Sequence, residues 1–309
     1  MPIPDLLLPE SLAPLVEGTI FREHIHHCIS TGSTNTLALS AAAAGAPEGS
    51  VFLAEEQVAG RGRGEHSWLS ERSLGIYCSV VLRPRWAGAG DAGPSASPGA
   101  VPMAPKDALL LSLSAGLAVQ LAIGEVTGIV PELRWPNDVL LNGRKVAGVL
   151  AELNSDGAHV RFAVVGVGIN VNQESFPVEL AAIATSLKRE TGRDWPRMEL
   201  AAALLKSLDR EYSLLRDEGR EKQGIAGVRK ELLRRFEQSS SYARGKRVRV
   251  EEHGGYDGIT EGLNSDGFLL VRTSEGVRVV LSGGVREWKG DTSEPLASIP
   301  LKNLKRMEE

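Results

Sequence analysis

Apolar and polar positions change their period several times along the chain, and each change marks an element. His24 to Ser30 alternates as a strand does, and Ser33 or Thr34 then stands where a helix cap belongs. The alanine run Ala41–Ala44 follows, and Gly45 can end that helix in a left-handed turn. Val51 to Ala54 reads as a buried strand, and Leu74 to Leu82, rich in β-branched residues, as a second. The alternating glycines and arginines from Gly60 to Gly64 predict a mobile loop between them. Ala108 to Val126 is long and apolar enough to suggest a membrane span. It carries Ser112, Ser114, Gly116, Gln120 and Gly124, however, which predicts a buried core helix. Val139-Leu140-Leu141 and Val146 to Leu153 flank Asn142-Gly143, a hairpin signal that puts Lys145 just past a tight turn. Val160 to Val171 is a further strand, with Gly166 and Gly168 where a side chain would block a ligand or a neighbouring backbone. Helical patterning covers Glu179 to Arg189, about Pro196 to Glu218, and Ile225 to Glu237.

After Ser239-Ser240-Ser241 the texture shifts to short strands, Arg247–Val250, Tyr256–Leu263, Gly267–Val271 and Val277–Leu281, separated by Gly, Asn and Asp. This predicts a small β-barrel. A chain of 309 residues exceeds what one compact core usually holds. The reading is therefore an α/β (α+β) domain over 1–240, a barrel over 241–290 and a mixed-charge peripheral tail over 291–309. The Pro-, Gly-, Ala- and Ser-rich stretch from Arg83 to Lys106 suits a lid-like excursion and is given no chemical role.

Composition adds limits. With 42% hydrophobic and 24% charged residues and a net charge of −4, the chain has no general attraction for nucleic acid or an anionic membrane. Cys28 and Cys78 are its only thiols, too few for a disulfide framework, and no secretory signal is read at the N-terminus. A cytoplasmic protein is expected. His24, His26 and Cys28 fall on one face of a strand, but adjacent strand positions rarely converge on zinc, so strand packing is preferred and no metal site is assigned. Glu55 and Glu56 point to opposite faces and cannot act as an acid/base pair.

Three tracts carry candidate chemistry. Gly32-Ser33-Thr34-Asn35 offers small polar groups. Gly60-Arg61-Gly62-Arg63, with Gln57 before it and Trp68 after it, offers guanidinium forks beside backbone N–H groups that can approach phosphates. Arg134-Trp135-Pro136-Asn137-Asp138, followed by Gly143-Arg144-Lys145-Val146-Ala147-Gly148, sets a compact ammonium on a hairpin. Lys145 there suits a carboxylate and an α-phosphate oxygen as charge builds during displacement. Asn137 and Asp138 either stabilise the turn or bind nucleotide phosphates or Mg²⁺. Asn170 either contacts the nucleotide or bonds its own backbone. The Gly/Arg tract is not a Walker A loop, since no Gly-Lys-Ser/Thr follows, and it does not open a helix as a dinucleotide fingerprint does.

In order and spacing these tracts resemble the biotin protein ligases, with Ala184-Thr185-Ser186-Leu187 as a weaker supporting match, from roughly Ser30 to Arg286. The resemblance implies a mixed sheet flanked by helices, related to the class II aminoacyl-tRNA synthetase fold, followed by a small SH3-like barrel. It implies ATP and biotin as substrates with Mg²⁺, formation of biotinyl-AMP, and transfer to one lysine of a biotin carboxyl carrier domain. Carried over by position, Ser33, Thr34, Asn35 and Gln57 look like the polar wall for the biotin ring, with Arg61, Gly62 and Arg63 in the ordering loop. Lys145 looks like the residue at the carboxylate and α-phosphate, with Arg63 as its catalytic partner. Trp68, Arg134, Asn137 and Asn170 look like nucleotide-side groups.

Two departures follow. About thirty residues precede the first motif, too few for the DNA-binding winged helix-turn-helix of some members, so no specific DNA binding is expected. Gly64-Glu65-His66-Ser67 stands where the family usually continues with arginine and glycine, which predicts a leakier adenylate. A homodimer is expected by family analogy. The rival readings are a lipoate or octanoyl transfer enzyme on a related fold and a non-catalytic biotin sensor.

Overall fold

The computed structural model describes residues 5–64, 66–87, 100–216, 224–252, 254–282 and 284–288. A short helix α1 (Pro9–Leu12) leads into β1 (Ile25–Thr31), α2 (Thr34–Ala43), β2 (Val51–Gln57) and β3 (Gly75–Leu82). The paired strands β4 (Arg85–Ala87) and β5 (Ala100–Pro102) follow, then α3 (Ala108–Thr127), β6 (Glu132–Arg134), β7 (Asp138–Leu141), β8 (Arg144–Ser155) and β9 (Val160–Asn170). The helices α4 (Val178–Ala181), α5 (Leu187–Thr191), α6 (Arg197–Leu215) and α7 (Gly224–Gln238) complete this part.

Seven strands form one mixed sheet in the order β1-β2-β3-β9-β8-β7-β6, in which only β1 and β2 run parallel. Period-two alternation gives that sheet two different faces. Val80, Leu82, Val165 and Ile169 join the main core with α3 and α6, whereas Val81, Phe162 and Val164 pack under Ala38 and Ala42 of α2. The apolar helix α3 is buried as expected: from Leu110 to Ile123 most of its side chains are enclosed, and Gly128 ends it in a left-handed conformation.

The C-terminal strands β10 (Arg244–Glu251), β11 (Tyr256–Leu263), β12 (Leu269–Thr273), β13 (Gly276–Val280) and β14 (Gly284–Glu287) make a separate five-stranded antiparallel sheet, in the order β13-β12-β11-β10-β14. The sequence pattern misses β14 because Val285 is its only buried apolar residue. This sheet is tied to the first. Trp135 Nε1 donates to Gly267 O at 2.9 Å in a buried contact, and Arg229 of α7 bridges Asp107 and Asp266.

Two expectations change. The helix predicted over Glu179–Arg189 is split into α4 and α5, because Ile183–Thr185 leaves helical geometry to bond the main chain of Lys145. Ser33 is the N-cap of α2 but its side chain makes no cap bond; Gln57 Oε1 takes the Thr34 N–H instead, at 2.8 Å. In addition, the Gly/Arg loop is closed on itself: Gly62 N bonds His66 O, Trp68 N bonds Gly60 O, and Arg61 pairs with Ser67. Glu65, residues 88–99 of the lid-like stretch and the tail from 289 lie outside the described residues.

The histidine strand is packing, as expected. His26 stacks on Phe52 and Cys28 Sγ bonds Leu53 O, while His27 Nε2 lies 2.9 Å from Glu55 Oε1. Glu55 is fully buried and also accepts from Leu7 N, Ser73 Oγ and the equally buried Arg197. Burial by itself pushes its carboxyl up, but the Leu7 N–H and Arg197 outweigh that and hold it below the ordinary carboxylate value.

Candidate active site

A strip of glycines without side chains runs across the α2 face of the sheet. Gly148 pairs with Gly168, and Leu150 with Gly166, so one rung of β8 and β9 is bare backbone on both strands and the next is bare on β9 alone. A Cβ on Gly166 would stand 1.9 Å from Asn35 Oδ1, and one on Gly168 only 2.4 Å from the Trp68 ring. One on Gly148 would crowd Lys145 Cε at 2.8 Å. The absent side chains thus make room for Asn35, Trp68 and Lys145, and all three glycines also line the cleft beside them.

Above the strip lies a cleft of about 420 Å³, counted to its open mouth. One wall is polar and preorganised. Gln57 Oε1 accepts from Thr34 N and Oγ1, Gln57 Nε2 donates to Ser70 Oγ, and Ser79 Oγ lies 2.8 Å from Thr34 Oγ1 and 2.6 Å from Asn35 Oδ1. These side chains are fixed before any ligand arrives. Gly60 is obligatory in the loop opposite, since a Cβ there would meet Trp68 O at 2.4 Å.

The other wall is cationic, and internal carboxylates partner two of its cations. Lys145 Nζ lies 2.5 Å from Asp138 Oδ1, and Arg134 holds Oδ2 of the same carboxylate at 2.6 Å. Burial pushes the Asp138 carboxyl up, yet Lys145 and Arg134 together hold it below the usual range, so it stays ionised. Arg61 grips Glu152 through both terminal nitrogens, at 3.0 and 2.7 Å, and Asn35 Nδ2 reaches the same carboxylate at 2.9 Å. Burial lowers the Arg63 guanidinium somewhat, opposed by Asp138 and Glu252. Lys145 also lies 5.2 Å from the centre of the Trp68 ring, whose buried indole N–H has no hydrogen-bond partner among the described residues. The arrangement can hold a carboxylate and a phosphate close together against fixed positive charge.

Of the residues expected at the site, Ser33, Thr34, Asn35, Gln57, Arg61, Gly62, Arg63, Trp68, Asn137 and Lys145 all line the cleft. Asn137 also donates its Nδ2 to Val149 O of β8. Two expected groups are not in the lining. Arg134 stands behind Asp138 and over Tyr242, and Asn170 Nδ2 donates to Thr185 O at 3.0 Å. Sequence reasoning missed Ser79, Cys78 and Glu152. Ser79 had a signal, the one serine in a strand that is mostly apolar; Glu152 had none.

Comparison with known proteins bears on this geometry. Residues 28–170 match the Biotin/lipoate A/B protein ligase family and residues 244–285 the Biotin protein ligase C terminal domain. The biotin–[acetyl-CoA-carboxylase] ligase of Mycobacterium tuberculosis is 36% identical over 262 residues, 82% of this chain and 85% of that protein. The bifunctional ligase/repressor BirA of Bacillus subtilis is 30% identical over 269 residues, 86% of this chain and 74% of its own length. Among solved structures, the Aquifex aeolicus biotin protein ligase in complex with biotin and ATP aligns with a TM-score of 0.68 at 29% identity, covering 86% of this chain and 100% of that one. With the polar wall, the basic loop and the hairpin lysine meeting in one cleft, these relationships establish that the chain belongs to the biotin protein ligase family.

Proposed function

We propose that this chain joins biotin to a protein in two steps. A carboxylate oxygen of biotin attacks the α-phosphorus of ATP, pyrophosphate leaves, and biotinyl-AMP remains. The uncharged ε-amine of an acceptor lysine then attacks the acyl carbon, forming an amide and releasing AMP. The observation that carries this reading is the placement of Lys145, Arg61 and Arg63 across one cleft from Ser33, Thr34, Asn35 and Gln57. The polar wall offers hydrogen bonds to a ureido ring. Lys145, with Arg63 beside it, stabilises charge on the carboxylate and α-phosphate as the new bond forms. Trp68 and Asn137 belong on the nucleotide side, while Arg134 and Asn170 act there by holding Asp138 and Thr185.

Mg²⁺ enters with ATP as part of the substrate. Asp138, paired with Lys145 of the cleft wall, is the carboxylate that would stand toward such an ion, which keeps most of its ligands from phosphates and water. The acceptor is a biotin carboxyl carrier domain, in keeping with the named activity of the M. tuberculosis relative. We place the enzyme in the cytoplasm, as a homodimer. Incubating the purified chain with biotin, Mg–ATP and a carrier domain, then probing the carrier for biotin, tests the reading, and an unlabelled carrier would refute it. The name of the matched family also admits lipoate. If lipoate suppresses labelling at concentrations similar to biotin, the biotin assignment fails.

A further inference from the structure

Lys145 is held by the sheet on one side only, opposite Leu140 of β7. Pairing of β8 with β9 begins only at Ala147, opposite Ile169. On the other side, the β7 ladder slips between Val139↔Ala147 and Leu140↔Lys145. The main chain of Lys145 is also gripped by a strip outside the sheet: Lys145 N donates to Ile183 O at 2.8 Å, and Thr185 N donates to Lys145 O at 2.9 Å.

We infer that Glu190, on α5, is the positioning residue that fixes this strip against the hairpin and so sets where the Lys145 ammonium sits during adenylation. The inference rests on the ligase reading above. Glu190 accepts from Asn142 Nδ2 at 2.5 Å, from Arg144 at 2.7 Å and from the Thr185 hydroxyl. Asn142 and Arg144 belong to the hairpin turn that leads into Lys145, and Thr185 ends the strip that holds its other side. One carboxylate, with only 7% of its side chain exposed, therefore ties together both edges of the groove in which the Lys145 backbone lies. Asn170 secures the same Thr185 through its carbonyl. None of Asn142, Arg144, Thr185 and Glu190 lines the cleft, so losing the clamp removes no ligand contact. It loosens the base of a four-carbon stem, and a displacement of about 1 Å at a reacting group is enough to lower a rate by orders of magnitude.

The test compares wild type, Glu190→Ala, Glu190→Gln, Lys145→Ala and the Lys145→Ala/Glu190→Ala double variant. ATP–pyrophosphate exchange reports adenylation, and calorimetry reports biotin binding. In Glu190→Ala the exchange kcat should fall about 10- to 100-fold while the biotin Kd moves less than about twofold, with Glu190→Gln between it and wild type. The double variant should be no slower than Lys145→Ala alone, because the clamp acts through that lysine. An unchanged kcat in folded Glu190→Ala overturns the inference, as does a further multiplicative loss in the double variant. Should Glu190→Ala not fold, Thr185→Val leaves Asn142 and Arg144 on Glu190 and takes its place. Its kcat should drop about 3- to 10-fold at unchanged biotin affinity, and a wild-type kcat overturns the inference. A wild-type enzyme with no exchange would instead remove the ligase reading itself.

Discussion

Asp138 is shared between two cations, Lys145 at 2.5 Å and Arg134 at 2.6 Å. The two partners are not equivalent. Lys145 projects into the cleft, whereas Arg134 remains behind the carboxylate, so Asp138 keeps a counter-charge even when Lys145 turns toward a ligand.

Removing Lys145 should therefore cost catalysis and little else. Lys145→Ala is expected to lose on the order of a few kcal/mol of transition-state stabilisation in biotinyl-AMP formation, with biotin binding weakened less and the melting temperature nearly unchanged. Pyrophosphate release at the wild-type rate would contradict this. Asp138→Ala leaves two cations facing each other without a carboxylate, and should lower both the melting temperature and the exchange rate.

Gly166 and Gly168 separate the two halves of the site. The Cβ of Gly166→Ala collides with Asn35 Oδ1 and should chiefly weaken biotin binding, while Gly168→Ala displaces Trp68 and should chiefly raise the KM for ATP. Each change overpacks a tight site and should cost about 1–3 kcal/mol of stability. Calorimetry with biotin and exchange kinetics with ATP distinguish the two; equal effects of both variants on both ligands would show that the strip does not divide the cleft in this way.

Arg61 and Glu152 form a half-exposed pair, and such pairs contribute at most about 1 kcal/mol to stability. Glu152→Ala should leave the melting temperature in place and shorten the lifetime of bound biotinyl-AMP, because Arg61 and Asn35 both lose the group that orients them. Arg63→Gly should shorten it further. Dissociation rates measured by trapping released adenylate decide this, and an unchanged rate in both variants would remove the loop from adenylate retention.

The buried Glu55–Arg197 pair predicts acid sensitivity. A carboxyl whose pKa is lower in the folded chain contributes stability that is complete above its unfolded value, near 4.5, and is lost as pH falls through the lower folded value. Glu55→Gln should thus lower the melting temperature at neutral pH and flatten its decline as the pH falls below about 5. Parallel curves for wild type and variant would exclude Glu55 as the source.

Much of the site was legible because its parts are local. Asn142-Gly143 announces a hairpin from two adjacent residues, both with positive φ in the structure, and this alone places Lys145 past the turn. The tract from Ser33 to Asn35 is equally compact. What escaped depends on pairings distant in sequence. Glu152 meets Arg61 across 91 positions, and Ser79 meets Thr34 across 45, so no spacing rule reveals either. The split between α4 and α5 was hidden for a related reason. Helical periodicity across Glu179–Arg189 is real, but three residues in its middle are drawn off to bond Lys145, and tertiary pairing outweighs propensity.

The buried bond from Trp135 to Gly267 links the Arg-Trp-Pro-Asn-Asp tract directly to the C-terminal sheet, and a Cβ on Gly267 would press on Leu113 of α3 and Leu233 of α7. Cutting the chain after Ser241 would strip that indole of its acceptor and lay α3 and α7 open to water next to the strand that leads to Asp138. The C-terminal sheet is thus no detachable module: the two sheets should melt in one cooperative transition, and a truncated catalytic half would be less soluble as well as less active.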